Sequence, residues 1–231
     1  MTTLLLIRHA TTASTGTRLG GRTEAGLDEG GRAQAEAAAG RLAEVPLKAV
    51  YASPLPRTMQ TAWAVAGPHR LVVQPDESLL EVEYGRWTDR PLASLTRTKV
   101  WPVIQARPSL VGFPEGETIR AAQLRAVDGL QRIVARHPRD AVAAVSHADV
   151  IKAVVAFYLG LPLDLFQRLH VSPASATVLS LPAPAGQPAL LRFNDDGPLQ
   201  LARPGRRAKK ATSRASTKAA AKATARTRRH G

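Results

Sequence analysis

The chain has 231 residues, 44% of them hydrophobic, which is enough for one sizeable core. It holds no apolar run near the roughly 18 residues needed to span a bilayer, and no cysteine at all, which excludes disulfides, thiolate nucleophiles and cysteine-held zinc. The net charge of +14 is unevenly spread: residues 203–231 carry 11 Lys and Arg and no acid, leaving 21 basic against 18 acidic residues in 1–202.

The first element is a strand, Leu4-Leu5-Leu6-Ile7, which delivers Arg8 and His9 to its carboxyl end. Open α/β sheets do their chemistry at such ends. A basic pair there needs partners that an apolar interior cannot supply, so an anion is expected beside it. Thr11 to Gly31 reads as a loop placed to cover that strand end, and Asp28 caps a helix from about Gly31 to Glu44. Leu47 to Ala52 is strand-like, and Ser53-Pro54-Leu55-Pro56-Arg57 opens a helix to about Ala66. Arg57 therefore stands at a helix N-terminus, whose free amides already favour a phosphate. Leu71 to Gln74 reads as a short strand and Leu79 to Asp89 as a loop.

Glu117 to Arg136 carries Ile119, Ala122, Ala126, Leu130 and Ile133 at helical spacing. Ala141 to Val145 reads as a buried strand closed by Ser146-His147-Ala148-Asp149, with a helix over Asp149 to Leu159. Ser175 to Leu181 and Ala189 to Phe193 are the last strands. Strands alternating with helices imply an α/β fold with a largely parallel sheet covered on both faces. The organisation expected is one catalytic domain over 1–202 and a tail over 203–231. The two strand ends together predict a two-histidine, arginine-rich site on one edge of the sheet.

Six fragments in this order carry a resemblance: Arg8-His9-Ala10-Thr11-Thr12; Leu27 to Ala35; Ser53 to Thr58; Leu80-Glu81 with Tyr84-Gly85; Pro114-Glu115-Gly116-Glu117-Thr118; and Ser146 to Asp149. Over about residues 3–195 the chain resembles the histidine phosphatase superfamily, also called phosphoglycerate-mutase-like. The resemblance implies a three-layer α/β/α sandwich and a phosphohistidine intermediate on His9. It also implies a phosphate pocket from Arg8, Arg57 and His147, with Thr12 on the first fragment as a further substrate contact, and a proton donor at Glu81. The chain departs from the family pattern in three places. Ala10 stands for the usual glycine, Ser14-Thr15-Gly16-Thr17 for a stretch that often holds asparagine, and Trp87-Thr88-Asp89 for a tryptophan-glutamate-glycine.

A neutral imidazole is a competent nucleophile, and attack on phosphorus splits one hard hydrolysis into two easier displacements. Arg8 and Arg57 disfavour an imidazolium at His9 and hold the nonbridging oxygens. His147, if protonated, donates from the opposite side. Glu81 supplies the leaving group's proton, with Glu83 and Asp149 as competitors. Glu117 is expected to cap the helix it precedes. His69, His137 and His170 lack a constellation, and Trp87 and Trp101 are read as packing residues near the mouth of the site.

The expected activity is a metal-independent phosphomonoesterase acting on a small phosphorylated metabolite, with no cofactor and no metal site. A phosphomutase and a noncatalytic phosphate-binding protein are the alternatives. Only 66 positions separate Glu81 from His147, and the resemblance implies that glycolytic mutases carry a longer, substrate-enclosing insertion there. Trp87, Arg90, Arg97, Lys99 and Trp101 hint at an anionic or partly aromatic substrate.

The tail, built from Ala, Thr, Lys and Arg without a large apolar residue, cannot offset its ordering entropy by burial and is expected to be disordered when free. It reads either as a solvated extension or as a weak, salt-sensitive nucleic-acid or polyanion binder. No signal or membrane segment is read, so a cytoplasmic protein is expected.

Overall fold

The computed structural model describes residues 1–182 and 186–197; the basic segment expected over 203–231 lies outside them. Six strands form one sheet: β1 (Thr2–Arg8), β2 (Leu47–Ala52), β3 (Val73–Pro75), β4 (Ala141–Ser146), β5 (Ala176–Leu181) and β6 (Ala189–Asp195), in the order β3-β2-β4-β1-β5-β6. The pairs β1–β4, β2–β4 and β2–β3 are parallel, while β5 runs antiparallel to both β1 and β6. The sheet is thus largely parallel, with one reversed strand.

The central strand β1 is apolar at successive positions because both of its faces are covered, the pattern of a strand in a parallel sheet. Leu4, Leu5, Leu6 and Ile7 are all buried. Leu4 and Leu6 pack into a core with Leu130 and Ile133 of α5 (Ile119–Arg136) and with Ile151 and Val154 of α6 (Ala148–Tyr158). The opposite face, bearing Leu5 and Ile7, lies on the side of α1 (Glu29–Leu42) and α2 (Pro56–Ala66), which pack on each other. This is the three-layer sandwich that the alternation of elements implies.

Local chemistry sets the helix starts. The Asp28 side chain accepts from the Gly31 amide at the head of α1, as its place before an alanine-rich run predicts. Gly31 is required there, since a Cβ would lie 2.0 Å from the Thr11 carbonyl oxygen. That close approach, with Thr11 donating from its hydroxyl to Asp28 and from its amide to Gln34, fixes the loop that follows His9. Pro56 occupies the first turn of α2, leaving Arg57 next to it.

Three expectations shift. The short strand predicted at Leu71 to Gln74 forms at Val73–Pro75, where it pairs with Val50 to Ala52. Two short helices, α3 (Leu92–Leu95) and α4 (Trp101–Ala106), occupy a region without helical periodicity in the sequence. Glu117 does not cap α5: Thr118 does, accepting from the Ala121 amide, and the Glu117 carboxylate is turned elsewhere. Among the described residues no helix is long and apolar enough to cross a membrane.

Candidate active site

The chain passes from β1 to β2 on one side and from β4 to β5 on the other, and β4 lies directly beside β1. Ligands of open α/β sheets sit where the strand order reverses, outside the carboxyl ends. Arg8 pairs in register with Ser146, so His9 and His147 follow on adjacent strand ends. The His9 amide donates to the Ser146 carbonyl at 2.9 Å, and the two imidazole rings stand 5.2 Å apart at 61°.

A cavity of about 240 Å³ opens over this point. Arg8, His9, Thr12, Arg57, Glu81 and Asp149 all line it, together with the loop from Ser14 to Gly21. His147 does not line it; the ring is fully buried behind the wall. Five of the six predicted site residues therefore meet in one cavity, and the sixth touches them from beneath.

His9 is oriented by the backbone. Its Nδ1 lies 2.7 Å from the carbonyl oxygen of its neighbour Ala10, which only accepts, so Nδ1 carries the proton and Nε2 a lone pair. Burial pushes the imidazole down to about 3, and the charges of Arg57 and Arg8 act in the same direction against the donation of Nδ1 to Ala10. The Ala10 amide is itself held by the Thr61 hydroxyl at 3.1 Å. Ala10, where the family pattern has glycine, is fully buried.

Arg57 is the hub of the cationic side. Its Nε donates to His9 Nε2 at 3.3 Å and its Nη2 to His147 Nδ1 at 3.3 Å. Its remaining donors reach the carbonyls of Gly21 at 2.5 Å and Thr23 at 2.9 Å, tying the covering loop to α2. Arg8 donates from Nη1 to the Val171 carbonyl at 2.6 Å, while its buried Nε has no partner among the described residues. Arg8 also lines the cavity, where a guanidinium offers forked donors to an anionic oxygen. Thr12 contributes a hydroxyl linked to those of Ser14 and Thr15, each at 3.1 Å.

From the sequence, His147 donates from the opposite side only if it is protonated, and its surroundings oppose that charge. Burial, then the charges of Arg57 and the neighbouring His9, hold the ring well below the ordinary histidine range. It is a neutral imidazole that accepts from Arg57 at Nδ1 and donates from Nε2 to the Ser53 hydroxyl at 2.9 Å. Its place at the base of the site is that of a support for Arg57.

Glu81 has the opposite displacement. Burial and the charge of Asp149 raise its carboxyl to about 7, against the pull of the Val82 amide, Arg57 and Arg8. Its Oε2 lies 4.0 Å from His147 Nδ1 and its Oε1 accepts from the Val82 amide at 2.9 Å. Asp149 would also be raised by burial alone, but Lys152 at 2.7 Å and the Tyr84 hydroxyl at 2.8 Å hold it below the usual range. The cavity thus presents one carboxyl that keeps its proton near neutrality and one that does not. Of the three acids weighed from the sequence, Glu83 drops out: it pairs with Arg22 at 3.2 Å and is absent from the cavity wall.

Glu117 has a role that its position in the sequence hides. A single oxygen, Oε1, takes hydrogen bonds from Arg125 at 2.7 Å, from the Glu83 amide at 2.9 Å and from Arg22 at 3.1 Å. Arg22 in turn donates to the Glu81 carbonyl at 3.0 Å. Gly85, at φ +53°, allows the loop to lie against Pro114, where a Cβ would meet the carbonyl oxygen at 2.1 Å. These contacts fix the backbone that carries Glu81. Among the described residues no group of three or more His, Asp or Glu is placed to hold a metal ion.

Known proteins share this architecture. The chain is 28% identical over 186 residues to phosphoserine phosphatase 1 of Hydrogenobacter thermophilus, covering 78% of this chain and 87% of that one. It is 33% identical over 182 residues to a protein of Mycobacterium tuberculosis named as bifunctional, covering 77% of this chain and only half of that longer protein. Relatives from Yersinia, 28% identical over 182 residues, carry the name probable phosphoglycerate mutase. The solved structure of a mycobacterial glucosyl-3-phosphoglycerate phosphatase superposes with a TM-score of 0.76 at 26% identity, over 83% of this chain and 98% of that one. Residues 4–196 match the histidine phosphatase superfamily, branch 1, and the chain belongs to that superfamily.

Proposed function

We propose that the protein is a metal-independent phosphomonoesterase that passes the phosphoryl group of a small phosphorylated metabolite through His9 to water. The observation that carries this reading is the 2.7 Å contact of His9 Nδ1 with the Ala10 carbonyl, which leaves a lone pair on Nε2, 3.3 Å from Arg57 Nε, in a cavity that Arg8 also lines. Relatives named for phosphoserine and glucosyl-3-phosphoglycerate support the phosphatase direction and a small substrate.

In the first step Nε2 attacks phosphorus and the bond to the ester oxygen breaks. Arg8 and Arg57 hold the nonbridging oxygens as charge redistributes, the Arg57 Nε bond to His9 Nε2 giving way to the substrate when the lone pair turns to phosphorus. The leaving alkoxide takes the proton of Glu81, whose carboxyl is poised close to neutrality for that transfer. In the second step water attacks the phosphohistidine, Glu81 takes a proton from that water, and phosphate leaves with neutral His9 restored. Asp149 remains ionised throughout, and its charge keeps the proton on Glu81 between turnovers.

Hydrolysis is favoured over mutase chemistry by the short stretch between Glu81 and His147 and by a cavity open to solvent, since a retained phosphoryl group must be shielded from water. Phosphate release from an aryl phosphate, measured with a chelator present, tests the reading. Turnover in the native protein and its loss in His9→Ala are expected; undiminished turnover in that variant would remove His9 from the mechanism.

A further inference from the structure

A second cavity of about 220 Å³ lies against the first, and Leu19, Tyr84 and Asp149 are walls of both. We propose that this second chamber receives the organic part of the substrate, which is the phosphate ester of an aromatic or otherwise apolar alcohol. The inference rests on the phosphatase reading and assigns its substrate class.

Three observations carry it. The chain is poor in aromatics, with 3 Trp, 3 Tyr and 4 Phe in all, yet four of these ten gather here. Tyr84 meets Phe113 edge-on at 4.7 Å, Phe113 meets Trp87 at 5.8 Å, and Trp87 stacks on Trp101 at 6.3 Å. Tyr84, Trp101 and Phe113 face the chamber together with Ile104 and Ile119. A cluster that only packed a core would close on itself, because protein interiors leave few voids larger than a water molecule, whose share of liquid volume is about 30 Å³.

Charge gives the second argument. The ionised group on the chamber wall is Asp149, already engaged by Tyr84 and Lys152, and no Lys or Arg side chain lines the chamber. A carboxylate on the substrate's alcohol part would enter beside a like charge without a partner, which is costly. Arg18, on the wall of the phosphoryl cavity and not of the chamber, pairs with both oxygens of Asp89 at 2.7 and 3.3 Å.

The third concerns polar groups. Among the described residues Gln105 makes no side-chain hydrogen bond, and Gln167 uses only its oxygen, accepting from Lys152 at 2.8 Å. Two amide side chains on an otherwise apolar wall suit a ring or chain that carries a hydroxyl or carbonyl, the usual makeup of a small-molecule site.

The test uses the full chain and alkyl phosphates whose alcohols differ little in acidity, so that leaving-group chemistry cancels. The ratio of kcat/KM for 2-phenylethyl phosphate over ethyl phosphate is expected to be about tenfold or more, the discrimination typical of an apolar pocket. Phosphoserine is expected to fall with ethyl phosphate. The variant Gln105→Trp, whose indole would fill the chamber, should bring the ratio towards one. Competitive inhibition by 2-phenylethylphosphonate against ethylphosphonate reads the same preference in the native protein and does not depend on the variant's folding. A native ratio near one, or phosphoserine turned over as well as the phenylethyl ester, overturns the proposal and leaves the phosphatase reading standing. Turnover of none of these, an aryl phosphate included, overturns the phosphatase reading itself.

Discussion

Arg57 touches both histidines at once, its Nε 3.3 Å from His9 Nε2 and its Nη2 3.3 Å from His147 Nδ1. One guanidinium thereby bridges two imidazoles on neighbouring strands and, in the proposed mechanism, supplies a donor to a phosphoryl oxygen. Lysine offers a point charge without the planar fork. Arg57→Lys is expected to lower kcat by roughly a hundredfold to a thousandfold, the range seen on losing one preorganised oxyanion donor. In Arg57→Ala the His9 imidazole, freed of one of the charges that depress it, should titrate above its native position near 3, as followed by NMR. An unmoved His9 would show that the Arg57 charge does not help to set it.

Removing the proton of Glu81 has a separable signature. Glu81→Gln should lower kcat/KM, which reads the steps up to formation of the phosphohistidine, by roughly a hundredfold or more for alkyl phosphates, the usual contribution of a general acid, while kcat/KM for an activated aryl ester with a good leaving group is spared. In the native protein kcat/KM for alkyl esters should fall as pH rises through about 7, where Glu81 loses its proton. That limb should be missing in Glu81→Gln. Equal losses on both ester types would point to a binding role instead.

Glu117 acts through Glu81. Glu117→Gln keeps the shape but removes the charge that gathers Arg22, Arg125 and the Glu83 amide on one oxygen. The expected result is a drop in kcat of roughly tenfold to a hundredfold on alkyl esters, the cost of a small misplacement of a reacting group. KM should change little, and kcat/KM for the activated ester should again be spared. A uniform loss explained by a lower Tm would make Glu117 merely structural.

The buried groups also shape stability against pH, with opposite signs. Below 6.5 the unfolded chain takes up protons that native His9 refuses until about 3, so stability is lost as pH falls through that window. Between 4.5 and about 7 native Glu81 keeps a proton that the unfolded chain releases, so its contribution is lost as pH rises. Each unit of displacement corresponds to about 1.4 kcal/mol. Urea midpoints for Glu81→Gln should therefore gain on the native protein between pH 4.5 and 7 and stay level beyond it. Parallel curves across that range would mean that Glu81 is not held protonated.

The sequence exposes those parts of the site that are set by local rules. Arg8 and His9 close an apolar strand, His147 closes another, and Arg57 follows a proline-opened helix start, so each is visible where it stands. The long helices announce themselves by period, whereas α3 and α4, at four and six residues, are too short to show one. The reversed direction of β5 is decided by how the chain returns after α6, which no local pattern records. Glu117 was assigned to its own helix because dipole complementarity is a local argument, but its partners lie 34 and 95 positions away at Glu83 and Arg22. The Tyr84–Asp149 pair spans 65 positions and is equally silent in the sequence.

The most direct test is to quench the working enzyme during turnover of a phosphoryl-labelled ester under alkaline conditions, which preserve phosphohistidine, with a chelator present, and to map the label by peptide. The account predicts label on the peptide bearing His9, chased by further turnover and absent in His9→Ala. Steady phosphate release with no label on that peptide, or with label on another residue, would contradict it.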